Sequence, residues 1–261
     1  MIMNRACPHA RHLFEDWTKV SSRMRRAPVI ALFLDFDGTL ARLQPRPDQV
    51  SLDGPVRHAL AKLARNPRFR VWIISGRRRA DICSLVRVRG IRYLGLHGWE
   101  GRPGNALAGE THRWLSSLAA WFEALLAPVP GVWVEDKEHA LAIHYRNAAD
   151  ADARVAKALL ERVLAPFAQQ FHIESGKRVW EILPWELENK GAAVRRELSV
   201  LAGRALPVYV GDDQVDESAF AVLSTGVTVR VGHTVSSKAQ YRLAGVAQVR
   251  AFLHRLTTEF A

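Results

Sequence analysis

The chain has 261 residues, 48% of them hydrophobic, which is enough for one large domain or for a domain with a smaller insert. Its 37 Lys and Arg against 26 Asp and Glu give a formal net charge of +11, which attracts polyanions but is equally typical of an Arg-rich protein that binds phosphorylated metabolites. No stretch approaches the ~20 apolar residues of a membrane span, and Cys7 and Cys83 lack the spacing of a zinc site or a disulfide framework.

The predicted elements begin with a continuous apolar run at residues 29–34, typical of a strand buried on both faces of a parallel sheet. Helix-like segments at residues 54–65 and 189–203 alternate with further runs of this kind. Those further runs lie at residues 70–75, 91–96 and 206–212, the last of which we take as the final strand. The alternation predicts an α/β fold with a Rossmann-like, doubly wound parallel sheet. Residues 1–27 have too little pattern to assign and are treated as a possible N-terminal extension.

The middle of the chain does not continue this alternation of strand and helix, because its predicted element order is α-β-β-α-β-β. Short strands joined by tight turns predict an antiparallel sheet backed by two helices, and therefore a separate α+β module. We place this inserted cap at residues 109–185. The core then comprises residues 1–108 and 186–261.

Polar side chains follow several of the predicted core strands. Ligands of an open α/β sheet collect beyond the carboxyl ends of its strands, so these residues are the first candidates for chemistry. Each alone has a simpler explanation: an Asp-Gly pair is most often a turn, a Ser-Gly pair can cap a helix, and a single lysine is usually solvated. Their occurrence in order at the sheet ends favours a site. The candidates are Asp35, Asp37, Ser75, Arg77, Lys190, Asp212, Asp213 and Asp216.

Several carboxylates that converge on one spot repel each other unless a cation lies among them. Oxygen ligation by Asp35, Asp212 and a backbone carbonyl suits Mg²⁺, and the residues assigned to the metal are Asp35, Asp37 and Asp212. Such a metal implies an anionic substrate, which we expect to be a phosphate. Ser75, Lys190 and nearby backbone N–H groups can supply donors to it.

The two aspartates after the first strand predict two distinct catalytic roles. Alternation along an extended chain places Asp35 and Asp37 on the same side. We assign Asp35 as the nucleophile that attacks phosphorus and Asp37 as the general acid and base. Gly38 then permits a sharp exit from the strand.

In these residues the sequence resembles the haloacid dehalogenase superfamily of aspartate-nucleophile phosphatases. The resemblance implies that Asp35 is the nucleophile, that Ser75 and Lys190 contact phosphate, and that Asp213 and Asp216 complete or orient the metal site. Within that superfamily the chain is similar to the trehalose-6-phosphate phosphatases, which implies a C2-type cap. The similar stretches lie between Leu32 and Leu256: GLHG (95–98), EDKEHALAIHYR (135–146), GKRVWEILPWELENKGAA (176–193), GDDQVDESAF (211–220) and the C-terminal segment 229–256. Val215 departs from the family's usual threonine.

The insert is expected to act as a lid that limits attack by bulk water and selects the leaving group. Charged residues beside Trp133 and Trp180 suit a neutral polyhydroxyl compound such as a sugar. The simpler alternative, cross-strand ion pairs on a solvated sheet face, is about equally consistent with spacing alone. The predicted substrate-binding residues are Arg77, Glu135, Lys137, Lys177 and Glu181.

Three further polar residues remain ambiguous from sequence. His97, His144 and Arg146 could contact sugar or phosphate, but a histidine on an apolar strand is more often a core residue whose hydrogen bonds are satisfied.

The sequence therefore predicts a Mg²⁺-dependent phosphatase that hydrolyses trehalose 6-phosphate through an aspartyl-phosphate intermediate. Sucrose 6-phosphate or a glycosyl-glycerate phosphate is the nearest alternative substrate, and a non-catalytic polyanion-binding module is a more distant one. The short basic runs 23–26 and 77–79 are not interleaved with aromatic residues, so we expect no nucleic-acid partner. The expected protein is a cytoplasmic monomer without a membrane partner.

Overall fold

The computed structural model describes residues 10–101, 107–201, 203–233 and 236–260. In these ranges no helix is long and apolar enough to cross a membrane. The strands are β1 (Arg11–His12), β2 (Val29–Leu34), β3 (Phe69–Ile74), β4 (Arg92–Leu94), β5 (Trp133–Asp136), β6 (Leu141–His144), β7 (Phe171–Gly176), β8 (Val179–Pro184), β9 (Ala205–Gly211), β10 (Val227–Val231) and β11 (Tyr241–Leu243). The α-helices are α1 (Trp17–Arg26), α2 (Gly54–Arg65), α3 (Arg79–Val86), α4 (Gly109–Leu126), α5 (Asp150–Leu164), α6 (Lys190–Ser199), α7 (Glu217–Val222) and α8 (Val246–Glu259).

The larger sheet has seven parallel strands in the order β1-β11-β10-β9-β2-β3-β4. Its central strand β2 is buried on both faces because successive side chains point into two different apolar clusters. Leu32 and Leu34 pack into the cluster that contains residues of α2 and α8, whereas Ala31 and Phe33 pack into the one that contains residues of α6 and α7. The doubly wound α/β fold predicted from the apolar runs is confirmed.

The prediction that residues 206–212 form the final strand is wrong. Two more parallel strands, β10 and β11, extend the sheet beyond β9. Both are short, and β11 has only three residues, so neither produces the long apolar run that marks the central strands.

The chain before β2 contributes to the same sheet. Strand β1 pairs in parallel with β11, with Arg11 opposite Tyr241. Helix α1 buries Trp17, Val20 and Met24, which belong to the large apolar cluster. The described residues of the segment 1–27 are therefore part of the core packing, whereas residues 1–9 lie outside the described ranges.

The chain divides into two compact units. The first extends to Gly101 and resumes at Asn189, and the second lies between them and ends at Glu188. The second unit holds a four-stranded antiparallel sheet in the order β5-β6-β8-β7, together with α4 and α5. Its element order is the α-β-β-α-β-β pattern expected of the insert. Side chains from one face of the sheet share an apolar cluster with both helices.

Candidate active site

The carboxyl ends of the two central strands bring three aspartates together. Asp35 follows β2, and its backbone N–H donates to the carbonyl of Val210 in the adjacent strand β9 at 2.9 Å. Asp212 follows β9, and Asp216 lies in the short 3-10 turn after it. One carboxylate oxygen from each of these aspartates lies within 4.8 Å of the other two, and all three residues are buried. The structure thus assembles an acidic cluster of Asp35, Asp212 and Asp216.

Lys190 places its ammonium group against this acidic cluster. The lysine is the first residue of α6, which Asn189 caps by accepting a hydrogen bond from the N–H of Ala192. Its Nζ lies 2.7 Å from Oδ1 of Asp35 and 2.7 Å from Oδ1 of Asp216. Burial of a lysine with only 2% exposure is tolerable because both contacts are charge-assisted hydrogen bonds.

The electrostatics of the cluster favour an additional cation. Burial and the carboxylates of Asp216 and Asp212 raise the pKa of Asp35 well above its ordinary value, although Lys190 acts in the opposite direction. Burial acts to lower the pKa of Lys190, but Asp216 and Asp35 outweigh it and the pKa is raised. Three carboxylates face one ammonium group, so a net negative charge remains when all are ionised.

Asp216 is fixed by more contacts than the sequence indicated. Burial acts to raise its pKa, but Lys190 and hydrogen bonds from Asp213 and Tyr209 lower it. The Tyr209 hydroxyl donates to Oδ1 at 2.7 Å, and the N–H of Asp213 donates to Oδ2 at 2.9 Å. Asp216 is thereby oriented by its protein contacts, whereas Asp213 serves as the cap of the 3-10 turn. Tyr209 was not predicted from the sequence, because it lies within β9 and contacts Asp216 only through the turn that follows this strand.

Gly38 lies in the turn after β2, close to the Asp212 carboxylate of the acidic cluster. Its φ is +82°, a left-handed conformation that favours glycine. A Cβ at this position would lie 2.1 Å from Oδ2 of Asp212. The next residue, Thr39, donates its hydroxyl hydrogen to Oδ1 of Asp212 at 3.4 Å. Glycine is therefore required both for the turn and for the space that Asp212 occupies.

Asp37 lies in a different environment from the acidic cluster. Arg77 binds its carboxylate through two hydrogen bonds, from Nε at 2.7 Å and from Nη2 at 2.8 Å. The same guanidinium donates to the carbonyl of Pro47 and lies over the ring of Phe36. Two of the predicted site residues thus contact each other. Arg77 was predicted to bind substrate, and Asp37 was predicted to bind the metal and to transfer the proton.

Ser75 follows the neighbouring strand β3 and contacts a strained turn that follows β4. The Ser75 hydroxyl accepts a hydrogen bond from the N–H of Arg77 at 3.2 Å, and its carbonyl accepts one from the N–H of His97 at 2.9 Å. Leu96 and His97 both have positive φ, and a Cβ on Gly98 would lie 2.2 Å from the Cβ of Ala193 in α6. Consecutive left-handed residues are costly, and such strain is concentrated at functional sites.

A second network, missed from the sequence, supports the loop after β9. Arg230, at the end of β10, donates to the carbonyl of Asp213 at 2.7 Å and forms a buried ion pair with Glu217 at 3.3 Å. Glu217 also accepts hydrogen bonds from the Ser237 hydroxyl and the Lys238 N–H, both at 2.7 Å. Residue Val215, at the position of the family threonine, is itself buried in this loop.

The second unit pairs two of the predicted substrate residues. Nζ of Lys137 lies 2.5 Å from Oε1 of Glu181, and both side chains are less than a tenth exposed. Strand register places Glu135 and Glu181 on either side of Ala142, on the sheet face opposite Leu141 and Ile143. Lys137 and Glu181 thus form an ion pair, as the alternative interpretation expects, but the pair is buried and not on a solvated face.

The remaining candidates of the insert lie near this sheet face. Nε2 of His144 is 2.7 Å from Oε2 of Glu135, and the His144 ring stacks on Trp133 with a centroid separation of 4.0 Å. Burial acts to raise the pKa of Glu135, but His144 and Lys137 lower it. Arg146 donates to the carbonyl of Lys177, which lies between β7 and β8.

Comparison with known proteins identifies the family. A family model described as trehalose-phosphatase matches residues 33–247. The chain belongs to the trehalose-phosphatase family. The resemblance stated from the sequence is thereby confirmed, and the protein is a phosphoric monoester hydrolase.

Two curated relatives and one solved structure illustrate the match. The trehalose-6-phosphate phosphatase of Escherichia coli K12 is 34% identical over 238 residues, which is 87% of this chain and 86% of that protein. The trehalose-phosphate phosphatase of Mycobacterium tuberculosis H37Rv is 36% identical over 248 residues, or 88% of this chain and 61% of that protein. The C-terminal domain of the C. albicans trehalose-6-phosphate phosphatase superposes with a TM-score of 0.80 at 20% identity, covering 97% and 99% of the two chains, and supports the fold.

Proposed function

We propose that this trehalose-phosphatase family member hydrolyses trehalose 6-phosphate to trehalose and phosphate. The proposal rests on the curated relatives named for this activity and on the acidic cluster with its buried lysine. The observation that supports the chemistry is the contact of Lys190 with Asp35, since an ammonium group beside the proposed nucleophile could also bind the phosphate of the substrate.

Magnesium fits the donor set of the acidic cluster. Every candidate ligand atom is a carboxylate oxygen, and hard divalent cations prefer oxygen ligands. Burial and, to a smaller extent, the carboxylates of Asp216 and Asp212 raise the pKa of Asp35, and a divalent cation would balance the charge of these carboxylates. We assign Asp35 and Asp212 to the ion, with Asp216 as the residue that orients Lys190 and completes the site. Asp37, the third residue assigned to the metal from the sequence, is not one of the three clustered aspartates, and we keep it for proton transfer. When bound, Mg²⁺ would supply charge stabilisation to the phosphoryl oxygens.

Asp35 is the proposed nucleophile. Lys190 engages its Oδ1, and within the described residues no hydrogen bond reaches Oδ2. Oδ2 attacks phosphorus and forms an O–P bond while the bond from phosphorus to the sugar oxygen breaks. Lys190 and the Ser75 hydroxyl donate hydrogen bonds to the transferring group. The product of this step is an aspartyl phosphate.

Asp37 is the proposed proton carrier. It gives a proton to the departing sugar oxygen in the first step and takes one from the attacking water in the second. That water cleaves the acyl phosphate, releases orthophosphate and restores Asp35. The two hydrogen bonds from Arg77 hold the Asp37 carboxylate in one orientation, so we assign Arg77 to positioning as well as to substrate.

The polar face of the second unit's sheet is the proposed sugar-binding surface. Glu135, Lys137, Lys177 and Glu181 offer both donors and acceptors, which suits the hydroxyls of a disaccharide. The buried Lys137–Glu181 pair fixes the positions of its own polar atoms. These residues, and not the acidic cluster, would distinguish one sugar phosphate from another.

A substrate panel tests the proposal. Phosphate release is measured from trehalose 6-phosphate, sucrose 6-phosphate, a glycosyl-glycerate phosphate and a small aryl phosphate, each with Mg²⁺ or with EDTA. We expect kcat/KM for trehalose 6-phosphate to exceed the others by about 10²-fold or more, because buried polar groups discriminate strongly. Equal turnover of sucrose 6-phosphate would refute the substrate, and full activity in EDTA would refute the metal. The cytoplasmic location and the monomeric state stay predictions.

A further inference from the structure

Helices α2 and α8 lie side by side on one face of the seven-stranded sheet, where both contribute to the large apolar cluster. They run in the same direction, since Asn66 after α2 donates a hydrogen bond to the carbonyl of Phe260 after α8. A groove of about 600 Å³ lies between them. Small residues such as Ala59 and Ala251 are part of its lining.

Each helix contributes two basic residues to this groove. His58 and Lys62 come from α2, and Arg250 and His254 come from α8. Each pair is spaced by four residues, so its members lie on one helix face a turn apart. All four side chains are exposed, and within the described ranges none forms an ion pair with a carboxylate. The lining residues of the groove include no Asp or Glu.

The cationic lining continues past this groove. A second groove of about 550 Å³ shares Lys62 and Thr257 with it and adds Arg65 and Arg68. Glu259 also lines the second groove, but its carboxylate is engaged by hydrogen bonds from α1. The two grooves together follow α8, whose 14 residues span about 20 Å.

We propose that this basic groove, lined by His58, Lys62, Arg250 and His254, binds a linear condensed phosphate. Lys62 and Arg250 in this groove, followed by Arg65 and Arg68 in the next, form a row of cations, and a row of cations favours a ligand with many negative charges along its length. Single-stranded nucleic acid is less suitable, because its binding sites combine cations with exposed aromatic rings on which bases stack. The aromatic residue in the lining, Phe260, is only 5% exposed. This binding site is separate from the proposed hydrolysis.

The test is direct binding of a fluorescently labelled linear condensed phosphate, followed by anisotropy over a range of NaCl concentrations. Reversal of two charges, in Lys62→Glu/Arg250→Glu, should weaken binding by about tenfold or more. It should also reduce the slope of log K against log salt by about one to two, because two phosphate contacts are lost.

A charge-matched control separates the groove from net charge. Arg113→Glu/Arg154→Glu makes the same change in net charge on exposed positions of α4 and α5 that line neither groove, and we expect its affinity to stay within about threefold of the parent. An equal loss in both double variants, equally tight binding of single-stranded DNA of the same length, or no binding to the parent at physiological salt would overturn the proposal. Binding is measured without turnover, so failure of the proposed hydrolysis leaves this result interpretable.

Discussion

At the scale of single residues, we expect Asp35 to affect both the catalytic rate and the stability of the fold. Asp35→Asn should lower phosphate release on the order of 10³-fold or more, because it removes the proposed nucleophile. It should also raise the Tm in EDTA by about 2–4 °C, the shift that roughly 1 kcal/mol produces in a protein of this size. The reason is that burial and two carboxylates raise the pKa of Asp35, so ionised Asp35 destabilises the metal-free fold.

Thermal melts of both proteins with and without Mg²⁺ check this prediction. The parent should be stabilised by the ion more than Asp35→Asn is, since the variant has one negative charge fewer in the acidic cluster. A variant that melts below the parent in EDTA contradicts the electrostatic argument. Retained turnover removes Asp35 from the nucleophile role.

Gly38 provides a second residue-scale prediction. Gly38→Ala should lower kcat/KM by about 10²-fold or more, because the new Cβ displaces the Asp212 carboxylate. Gly232→Ala is the matched control: its φ is +85°, and among the described residues nothing lies within 4 Å of the added Cβ. Both variants should lose about 1–2 kcal/mol of stability through the left-handed φ. A similar loss of activity in both would attribute the effect to backbone strain alone.

The residues of the site could be predicted from the sequence only where a side chain with suitable chemistry lies at the end of a strand or the start of a helix. Asp35 and Asp212 follow parallel strands and Lys190 begins the helix that leads into β9, so chain direction brings all three to one edge of the sheet. Tyr209 and Arg230 were not found because their partners lie across a turn or on a neighbouring strand. The pairing of Arg77 with Asp37 likewise depends on side-chain reach, which spacing does not reveal.

At the scale of elements, the second unit's sheet holds a buried ion pair that affects its stability. Lys137→Met should cost about 3–5 kcal/mol, because it removes the ammonium group that pairs with the buried carboxylate of Glu181. The double variant Lys137→Met/Glu181→Leu should be less destabilised than the single one. Urea unfolding measures both. The control is Lys157→Met, which breaks an exposed pair with Glu161 and should cost about 0.5 kcal/mol at most.

The turn between β7 and β8 carries the specificity prediction for the insert. Lys177→Ala should raise KM for trehalose 6-phosphate severalfold while leaving KM for a small aryl phosphate nearly unchanged, because an aryl phosphate lacks the sugar hydroxyls that the proposed sugar-binding surface would contact. Steady-state kinetics with both substrates give the comparison. Equal increases in the two KM values would argue against a sugar contact at this turn.

Helices and strands were easier to predict from the sequence where they contain a long run or a clear pattern of apolar residues. Strands β2, β3 and β9 are long apolar runs and were found with small boundary errors. Helix α1 lies in the segment left unassigned from the sequence, although Trp17, Val20, Ser21 and Met24 recur at helical spacing and are buried. Its charged residues between these positions weakened the pattern. Strands β10 and β11 are stabilised by pairing with neighbouring strands of the sheet. That pairing depends on the tertiary fold, so the local sequence does not reveal it.

At the scale of the whole molecule, the segment before the matched family region is part of the fold. Met24→Ala should cost about 2–5 kcal/mol, because Met24 is fully buried in the large apolar cluster. Lys19→Ala, on the exposed side of the same helix, should change stability by about 0.5 kcal/mol or less. Chemical unfolding of the two variants tests whether α1 is integral. Equal stabilities would show that the helix is dispensable.

The pairing of β1 with β11 has a consequence for biosynthesis. The indole of Trp17 donates a hydrogen bond to Glu259, a residue 242 positions later. At ~5–20 residues per second, the ribosome needs on the order of ten seconds or more to deliver that partner. Until then Trp17 lacks both Glu259 and the ring of Phe252 on which it packs, and the nascent chain exposes its indole to the chaperones that meet emerging polypeptides. Completion of the sheet is therefore a late event in the life of each new molecule.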